Sequence, residues 1–477
     1  MEPEIIHMED EDDDGKSEPE LFEDEMNSEE GFDKDEDEEE NNEEATEEQQ
    51  DDNEEDEDDR TPVLINQGAY GCLYHPGFDE NNKTLPENKI TKLQKKNMSS
   101  ENEFRISQNI KSTIPNYENY FVILEKKEPV NIASIDPDLL TGCKVVQKAS
   151  KGGYTIKQPV TKESDEEYAN YMQSDDDEEE EDQEEEEEEE DEFELFTMNY
   201  VDSIDLPNGF IAEKNLGMTI ANIQNTYTSL LSGIDKLQKI NIVHFDLKWP
   251  NILFDRNRRR PLIIDFGLSF DSETIVDHLK NLEEDDEEEI KETLINSFVA
   301  FAPDYYIWTP EANIVQFIIY DLDFPSVLDE LLLQRIQTEC IDSIIEQNKW
   351  FHVIYPREVD RQRLRNILIK HLKETSQKYN GNVLQMFAHE YLTEECLMTW
   401  DLYSLGVITW RAYESIVFQA NGSLKPGSKL YSPSAHPFIE NVFSILRSNA
   451  APLCRNRMSV AEIKETYNQS LFYKEVF

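Results

Sequence analysis

The sequence predicts an α+β fold with a β-rich front, an α-rich back and acidic segments that belong to neither. Three observations lead to this class. Short segments rich in β-branched residues and interrupted by glycine follow Thr61. Longer segments with apolar residues at helical spacing dominate after about residue 218. The net charge of -61 is concentrated in a few tracts, which separates them from the part that can fold.

The acidic tracts are predicted to be disordered. Residues 1–60 hold 34 acids and 3 bases, and residues 174–194 hold 18 acids and no base, which leaves a net charge of -12 on the other 396 residues. Such blocks repel themselves and bury little apolar surface. They are either a solubilising tail or an attraction for basic proteins. Direct nucleic-acid binding is not expected, because phosphates would be repelled.

The front region, residues 61–217, is predicted to be a sheet with one helix and a long insert. The insert covers about 130–194, after which GFIAEKNLG (209–217) is predicted to be a strand that ends in a turn. The helix carries its apolar residues at roughly helical spacing, beginning with a capping serine. Before the insert, the predicted elements are two strands around a glycine turn in 61–74, a strand at 89–96, the helix Ser99–Ile110 and a strand at 120–124.

The back region, residues 218–477, is predicted to be mainly helical. An amphipathic helix at 222–240 leads into a charged loop, and a hairpin follows at 251–267. A second insert with helical periodicity covers about 312–398. Further helices are expected up to the C-terminus.

The five cysteines are odd in number and lack metal-ligand spacing, so a reducing compartment and no zinc site are expected. No apolar run reaches the roughly 18 residues that a membrane span needs. The acidic N-terminus does not look like a signal peptide. These features predict a soluble intracellular protein, in the cytoplasm or nucleus.

The stretch HFDLKWPNILFD (244–255) concentrates charged residues beside a predicted strand. It contains the spacing Asp-x-Lys-x-x-Asn, and Asp265-Phe266-Gly267 follows fourteen residues after Asn251. Together, in this order, these motifs resemble the catalytic loop and the metal-binding motif of eukaryotic-type protein kinases. The resemblance implies a bilobal fold, with a β-rich N-terminal lobe and an α-rich C-terminal lobe.

The resemblance also implies ATP and Mg²⁺ as cofactors. Asn251 and Asp265 would supply the amide and carboxylate oxygens that Mg²⁺ prefers. Asp246 would be the catalytic base for the attacking hydroxyl, and Lys248 would hold the transferring phosphate. A lysine at this position is typical of the serine/threonine class.

The nucleotide cradle is expected in INQGAYGCLY (65–74), which resembles the family's glycine-rich loop. Gly68 and Gly71 would be its second and third glycines, Asn66 replaces the first, and Leu73 would also contact the nucleotide. Asparagine tolerates unusual backbone angles better than most residues. A plain hairpin with glycines at its bends is the alternative.

Lys92 is predicted to bind the α- and β-phosphates and to pair with Glu103 on the following helix. Ile90 shares its strand face and would lie against the adenine. Glu213 to Asn215 would form the hinge whose backbone binds the adenine edge. Lys92 has three neighbouring rivals, each of which could equally be a solvated surface amine: Lys89, Lys95 and Lys96.

Three later motifs complete the resemblance. WTPE (308–311) is similar to the end of an activation segment that begins at Asp265, with Glu311 as its buried anchor. TWDLYSLGVITW (399–410) resembles the central helix of the large lobe, whose Asp401 would brace the catalytic loop. In RNRMS (455–459), Arg457 should pair with Glu311.

The sequence departs from the family in ways that affect regulation. Phe245 replaces the arginine that usually precedes the catalytic aspartate, which makes switching by loop phosphorylation doubtful. Pro250 precedes Asn251 and biases Trp249 toward extended geometry. EEDDEEE (283–289) could repel acidic substrates. The acidic tracts and enlarged loops resemble protein kinases of large DNA viruses, which would act in the host cell or the virion.

Three functions remain open at this point. The leading one is a monomeric serine/threonine protein kinase that phosphorylates basic proteins. The second is a catalytically silent scaffold of the same fold that recruits basic proteins. The third is a small-molecule kinase of the aminoglycoside or choline type, against which Lys248, Gly267 and the later motifs argue.

Overall fold

A five-stranded antiparallel sheet precedes a larger helical region, which confirms the predicted bilobal α+β class. The computed structural model of the protein describes residues 61–68, 71–149, 192–206, 216–282, 287–417 and 444–469. We call residues 61–199 the N-terminal lobe and residues 203–469 the C-terminal lobe. The predicted acidic tail, 1–60, and residues 174–191 of the acid run lie outside the described residues.

The N-terminal sheet has the strand order β1-β2-β3-β5-β4. The predicted strand at 120–124 is not part of it, because Phe121 makes only a single bridge to Ile263 of the C-terminal lobe. Pro129 is tolerated because its strand, β4, lies at the sheet edge. The strands are β1 (Val63–Gln67), β2 (Gly71–His75), β3 (Lys89–Lys95), β4 (Lys126–Val130) and β5 (Phe193–Asn199).

Both ends of the predicted insert at 130–194 are structured: Val130 ends β4 and Phe193 begins β5. Residues 137–149 form helices α2 (Pro137–Leu140) and α3 (Lys144–Ala149). Apolar side chains from this segment, including Leu139 and Val146, pack with those of β2, β3 and β5 in one core cluster. The strand predicted at 209–217 is also wrong at its end, since Leu216 already begins a helix.

Helix α1 (Met98–Thr113), which follows β3, has well-defined ends. Its cap is Asn97 rather than Ser99: the Asn97 side chain accepts from the backbone N–H of Ser100, whose hydroxyl lies 3.1 Å from the Asn97 nitrogen. The helix ends where Ile114 turns extended before Pro115. Ile106 and Ile110 are fully buried in the core that continues into the C-terminal lobe.

The C-terminal lobe is mainly helical, and side chains of the predicted helical insert at 312–398 lie in its core. Short π-helical segments continue some of these helices, at Phe317–Asp321, Ile336–Ile341 and Phe387–Tyr391. Residues 444–449 are also helical. The remaining helices are α4 (Leu216–Gln238), α5 (Ser272–Lys280), α6 (Glu287–Ser297), α7 (Pro310–Gln316), α8 (Glu330–Arg335), α9 (Asp342–Gln347), α10 (Lys349–Ile354), α11 (Glu358–Lys378), α12 (Val383–Met386), α13 (Glu394–Leu397), α14 (Trp400–Val417) and α15 (Val460–Gln469).

Two small sheets frame the loops on which the predicted catalytic residues lie. One has the order β6-β8-β9 and the other pairs β7 with β10. The predicted hairpin at 251–267 is confirmed as β8 and β9. The strands are β6 (Ser203–Asp205), β7 (Ile242–Val243), β8 (Ile252–Asp255), β9 (Arg260–Ile263) and β10 (Phe270–Asp271).

Cys72 of β2 and Cys143, just before α3, are joined by a disulfide across a sequence separation of 71. The sequence predicts a reducing compartment, whereas this pair is bonded. Cys340, Cys396 and Cys454 are free thiols.

Within the described ranges, we find no helix with the length and apolar character needed to cross a membrane.

Candidate active site

The loop between β7 and β8 is held by Asp401, as the sequence predicts. The Asp401 carboxylate accepts hydrogen bonds from the backbone N–H groups of His244 (2.8 Å) and Phe245 (3.0 Å). His244 Nδ1 accepts from the backbone N–H of Asp246, and its Nε2 lies 3.0 Å from the carbonyl oxygen of Ile264. The imidazole therefore bridges this loop to the segment that contains Asp265.

Phe245 fixes the same loop by aromatic packing. Its ring stacks on Trp308 and on Trp400, with centroids 5.1 and 5.4 Å apart. Trp308 Nε1–H also donates to the carbonyl oxygen of Phe245 at 2.9 Å. Phe245 has a φ of 66°, which is unusual for a bulky residue. This stack ties the loop to the segment before α7.

Asp246 is buried, with 6% of its surface exposed, and both carboxylate oxygens are engaged. One oxygen accepts from Asn251 Nδ2 at 2.8 Å and lies 3.4 Å from Lys248 Nζ. The other accepts from the Tyr305 hydroxyl. Burial raises the pKa of Asp246, although Lys248 acts in the opposite direction. Tyr305 was not among the sequence-predicted residues.

Asn251 and Asp265 present oxygen atoms suited to a hard cation. Asn251 Nδ2 donates to the backbone oxygen and to the carboxylate of Asp246, so the planar amide directs its oxygen the other way. Asp265 is exposed and has a φ of 64°. The buried ring of Phe266 packs against Phe121 and His244, with centroids 5.9 and 5.1 Å away. This packing fixes the backbone next to Asp265.

Lys92 forms the predicted ion pair with Glu103, with Nζ 2.8 Å from the carboxylate. Burial alone would lower the pKa of Lys92, but attraction to Glu103 and Asp265 raises it, so the ammonium stays charged. The three rivals point elsewhere. Lys89 pairs with Glu125, Lys96 pairs with Glu192, and Lys95 is exposed.

The glycine-rich stretch forms the turn between β1 and β2. Asn66 is paired with Leu73, and the Gly68 N–H donates to the carbonyl oxygen of Gly71 at 2.9 Å. A Cβ at Gly71 would lie 2.8 Å from the carbonyl oxygen of Leu93, so only glycine fits there without a shift. Residues 69 and 70 at the tip lie outside the described residues.

Two of the strand residues predicted to contact the nucleotide lie beside Lys92. Leu73 is directly opposite it on β2. Ile90 is two residues before it on β3 and is buried. The strand register therefore groups these side chains near the ion pair.

The predicted hinge residues Glu213 and Asn215 lie outside the described residues. The chain leaves the N-terminal sheet at Asn199 and enters the β6-β8-β9 sheet at Ser203. Residues 200–202 therefore connect the two lobes. The strand before this connection, FELFTMN (193–199), follows directly on the acid run, which hides its apolar and β-forming residues in the sequence.

The late motifs form the predicted pair in the C-terminal lobe. Arg457 lies 2.6 Å from the Glu311 carboxylate, and the two side chains are 0% and 1% exposed. The guanidinium also donates to the hydroxyl of Thr399 and the carbonyl oxygen of Ala451, both at 2.9 Å. The backbone N–H of Cys454 donates to Glu311. This saturated network anchors α7 to the C-terminal helices.

A family model described as the protein kinase domain matches residues 185–281, about a fifth of the chain. The match includes β5, the Asp246 loop and Asp265. No curated protein matches the chain. The fold is thus a bilobal α+β protein kinase fold, and the match supports a place for this chain in the protein kinase superfamily.

Proposed function

We propose that this chain is a serine/threonine protein kinase that transfers the γ-phosphate of ATP to protein hydroxyl groups. One observation carries the proposal: the Lys92–Glu103 pair of the N-terminal lobe lies near Asp265, which in turn lies near Asp246. Three kinds of group that are far apart in sequence thus lie in succession: a phosphate-binding lysine, a metal-binding carboxylate and a proton acceptor. The kinase-domain match supports a kinase-like function in general.

The residues fit the two cofactors. Asn251 and Asp265 offer an amide and a carboxylate oxygen, the ligand types that Mg²⁺ takes. The turn that contains Gly68 and Gly71 joins β1 to β2, the strand that pairs with the one bearing Lys92, and Lys92 provides a fixed positive charge. When bound, Mg·ATP supplies the phosphoryl group, with its charge neutralised by the metal.

The other residues orient the acceptor and move one proton. Asp246 would accept the proton of the attacking hydroxyl, and its bonds to Asn251 and Lys248 hold the carboxylate in a fixed rotamer. Lys248 lies 3.4 Å from that carboxylate, where its charge would stabilise the phosphate in transit. This lysine is also the basis for the serine/threonine assignment.

The adenine edge is assigned to backbone groups near the lobe connection. Glu213 to Asn215 were predicted from sequence, and they remain a proposal. Residues 200–202 are favoured by their position, because they directly follow β5, which pairs with the strand that bears Lys92. An ordinary side-chain substitution leaves the backbone N–H that would bind adenine in place. Val201→Pro removes that N–H and is therefore the sharper probe.

Basic proteins are the proposed substrates. Glu287, Glu288 and Glu289 are exposed in the first turn of α6, within the segment from Asp265 to Glu311. Several charges of one sign attract ligands of the opposite sign. We further propose a monomer that acts inside the cell without binding nucleic acid. Its acidic tracts and enlarged loops support a likeness to kinases of large DNA viruses.

The test is phosphotransfer from radiolabelled ATP to a panel of basic and acidic proteins. Asp246→Asn and Asp265→Ala should each reduce transfer by about a hundredfold or more, because they remove the proton acceptor and a metal ligand. Asp277→Asn, on an exposed face of α5, is the matched control and should transfer normally. Near wild-type transfer by either site variant rejects the enzyme assignment.

Two outcomes would select the alternatives. A folded wild-type protein that binds basic proteins but transfers no phosphate is a scaffold. Transfer to an aminoglycoside or choline, but to no protein, indicates a small-molecule kinase.

A further inference from the structure

The Tyr305 hydroxyl lies where a substrate hydroxyl would have to bind. We propose that Tyr305 blocks the acceptor position of this chain, so that a protein substrate must displace it before transfer. The inference rests on the proposed kinase function and names how access to Asp246 is regulated.

The two oxygens of Asp246 show which position is taken. The oxygen bonded to Asn251 and close to Lys248 is committed to holding the carboxylate in place. The other oxygen is the one available to a substrate hydroxyl, and it accepts from Tyr305. Lys248 Nζ also donates to the Tyr305 hydroxyl at 3.1 Å. A phenol thus engages both the carboxylate oxygen that an attacking hydroxyl needs and the lysine that would hold the transferring phosphate.

Tyr305 is presented by an ordered turn. Its backbone N–H donates to the carbonyl oxygen of Ala302 at 3.0 Å, and its carbonyl accepts from the N–H of Trp308 at 3.1 Å. The Tyr305 ring meets the Trp308 ring edge-on, with centroids 4.6 Å apart. Trp308 is itself fixed to Phe245 by a hydrogen bond and by stacking. The loop that carries Asp246 and the segment that blocks it are therefore one packed unit.

A blocked acceptor position should affect the KM for the protein substrate and not the KM for ATP. An internal hydroxyl that competes for Asp246 raises the apparent KM for the protein acceptor, since part of the binding energy is used to displace it. It leaves the KM for ATP unchanged, because the Tyr305 hydroxyl lies against Asp246 and Lys248, whereas the nucleotide phosphates are assigned to Lys92, which pairs with Glu103. A residue that instead positioned Asp246 for catalysis would act on kcat.

Tyr305→Phe keeps the ring and removes the hydroxyl. Hydrogen bonds to charged groups are strong enough that the KM for a basic protein substrate should fall by about tenfold, with kcat not reduced. Tyr306→Phe is the matched control: its ring packs under Arg411 rather than at Asp246, and its kinetics should equal those of the wild type. Binding of the same protein without ATP, followed by fluorescence anisotropy, should tighten in Tyr305→Phe alone.

A lower kcat at unchanged KM in Tyr305→Phe would overturn the proposal and make Tyr305 a positioning residue. Unchanged kinetics and unchanged binding would also overturn it. If the wild type transfers phosphate and Tyr305→Phe is no better, only this inference fails. If both proteins are folded and neither transfers phosphate, both the block and the kinase function are rejected, because opening the site should have revealed activity.

Discussion

Two ion pairs of the described residues, Lys92–Glu103 and Arg457–Glu311, differ in what surrounds them. Lys92 and Glu103 keep 20% and 8% of their side-chain surface exposed, and Lys92 is also attracted to Asp265. Arg457 and Glu311 are 0% and 1% exposed, and both have further protein partners. The first pair leaves a charge facing the site, whereas the second is closed on all sides.

This difference shows that burial of a charge pair can serve two purposes. A closed pair gains specificity for one packing arrangement, and removing one member leaves the other charge without water or partner. A partly exposed, open pair can also bind a ligand, because its cation can attract an anionic group while it stays paired with its carboxylate. We therefore expect the first pair to affect ligand binding and the second to affect folding.

The largest effect is expected in the closed pair. Glu311→Gln leaves the Arg457 guanidinium buried without its carboxylate, which costs about 3–5 kcal/mol. Urea denaturation measures the loss as a lower midpoint at an unchanged slope. Glu339→Gln, which breaks the exposed Arg335–Glu339 pair of one helical turn, is the control and should leave the midpoint unchanged. Equal midpoints for both variants would show that burial does not distinguish the pairs.

The open pair should respond in nucleotide binding instead. Glu103→Gln frees Lys92 from its orienting carboxylate while Asp265 still attracts it, so the fold should persist. Loss of a charge-assisted hydrogen bond should weaken ATP binding by about tenfold or more. Calorimetric titration with Mg·ATP measures this, and Glu101→Gln on an outer face of α1 serves as the control. A large fall in unfolding midpoint with intact binding would contradict the comparison.

Acid should affect the site before it affects the fold. The pKa of Asp246 is raised by its burial, so this carboxylate becomes protonated at a higher pH than an ordinary aspartate. Once protonated, it can no longer accept a proton from the substrate hydroxyl. Below that pKa, kcat/KM should fall up to about tenfold per pH unit. An acid with a raised folded-state pKa stabilises the fold below its unfolded pKa, and this contribution is lost as pH rises. Activity lost together with the unfolding midpoint would disprove the separation.

The smallest effect is expected from the exposed charges at the start of α6. Replacing Glu287, Glu288 and Glu289 with glutamine should raise the KM for basic substrates only a few-fold, because exposed charges act through screened attraction. Salt at about 0.5 M should remove the difference, since the screening length is then only a few ångströms. Steady-state kinetics with matched basic and acidic peptides measure it. If the variant discriminates between them as the wild type does, these acids are only a solvated helix end.

The sequence predicted both pairs because each member lies in a short motif. Lys92 and Glu103 follow from a strand and a capped helix with little between them, and Arg457 and Glu311 follow from WTPE and RNRMS. The brace from Asp401 was predictable for the same reason. Local spacing constrains such residues strongly, so a single sequence is sufficient.

Other features depend on packing between distant segments, and no local pattern reports them. β5 was missed because Phe193 follows an acid run that dominates the composition around it. The Cys72–Cys143 bond joins residues with a separation of 71, and spacing does not distinguish this pair from other combinations. Tyr305 looks like an ordinary aromatic residue until the fold brings it to Asp246.

The disulfide determines what happens when the backbone between Cys72 and Cys143 is cut. Residues 72–143 form a closed ring that includes all of β3 and α1, and therefore both Lys92 and Glu103. The exposed turn near Asn116 lies within this ring, where a protease could reach the backbone. A single cut there would leave both products linked, so a denaturing gel would show one band at the full mass until a reductant is added. The fragment that carries Lys92 and Glu103 would thus remain tethered to the fragment that carries Asp246 and Asp265 after the backbone between them has been broken.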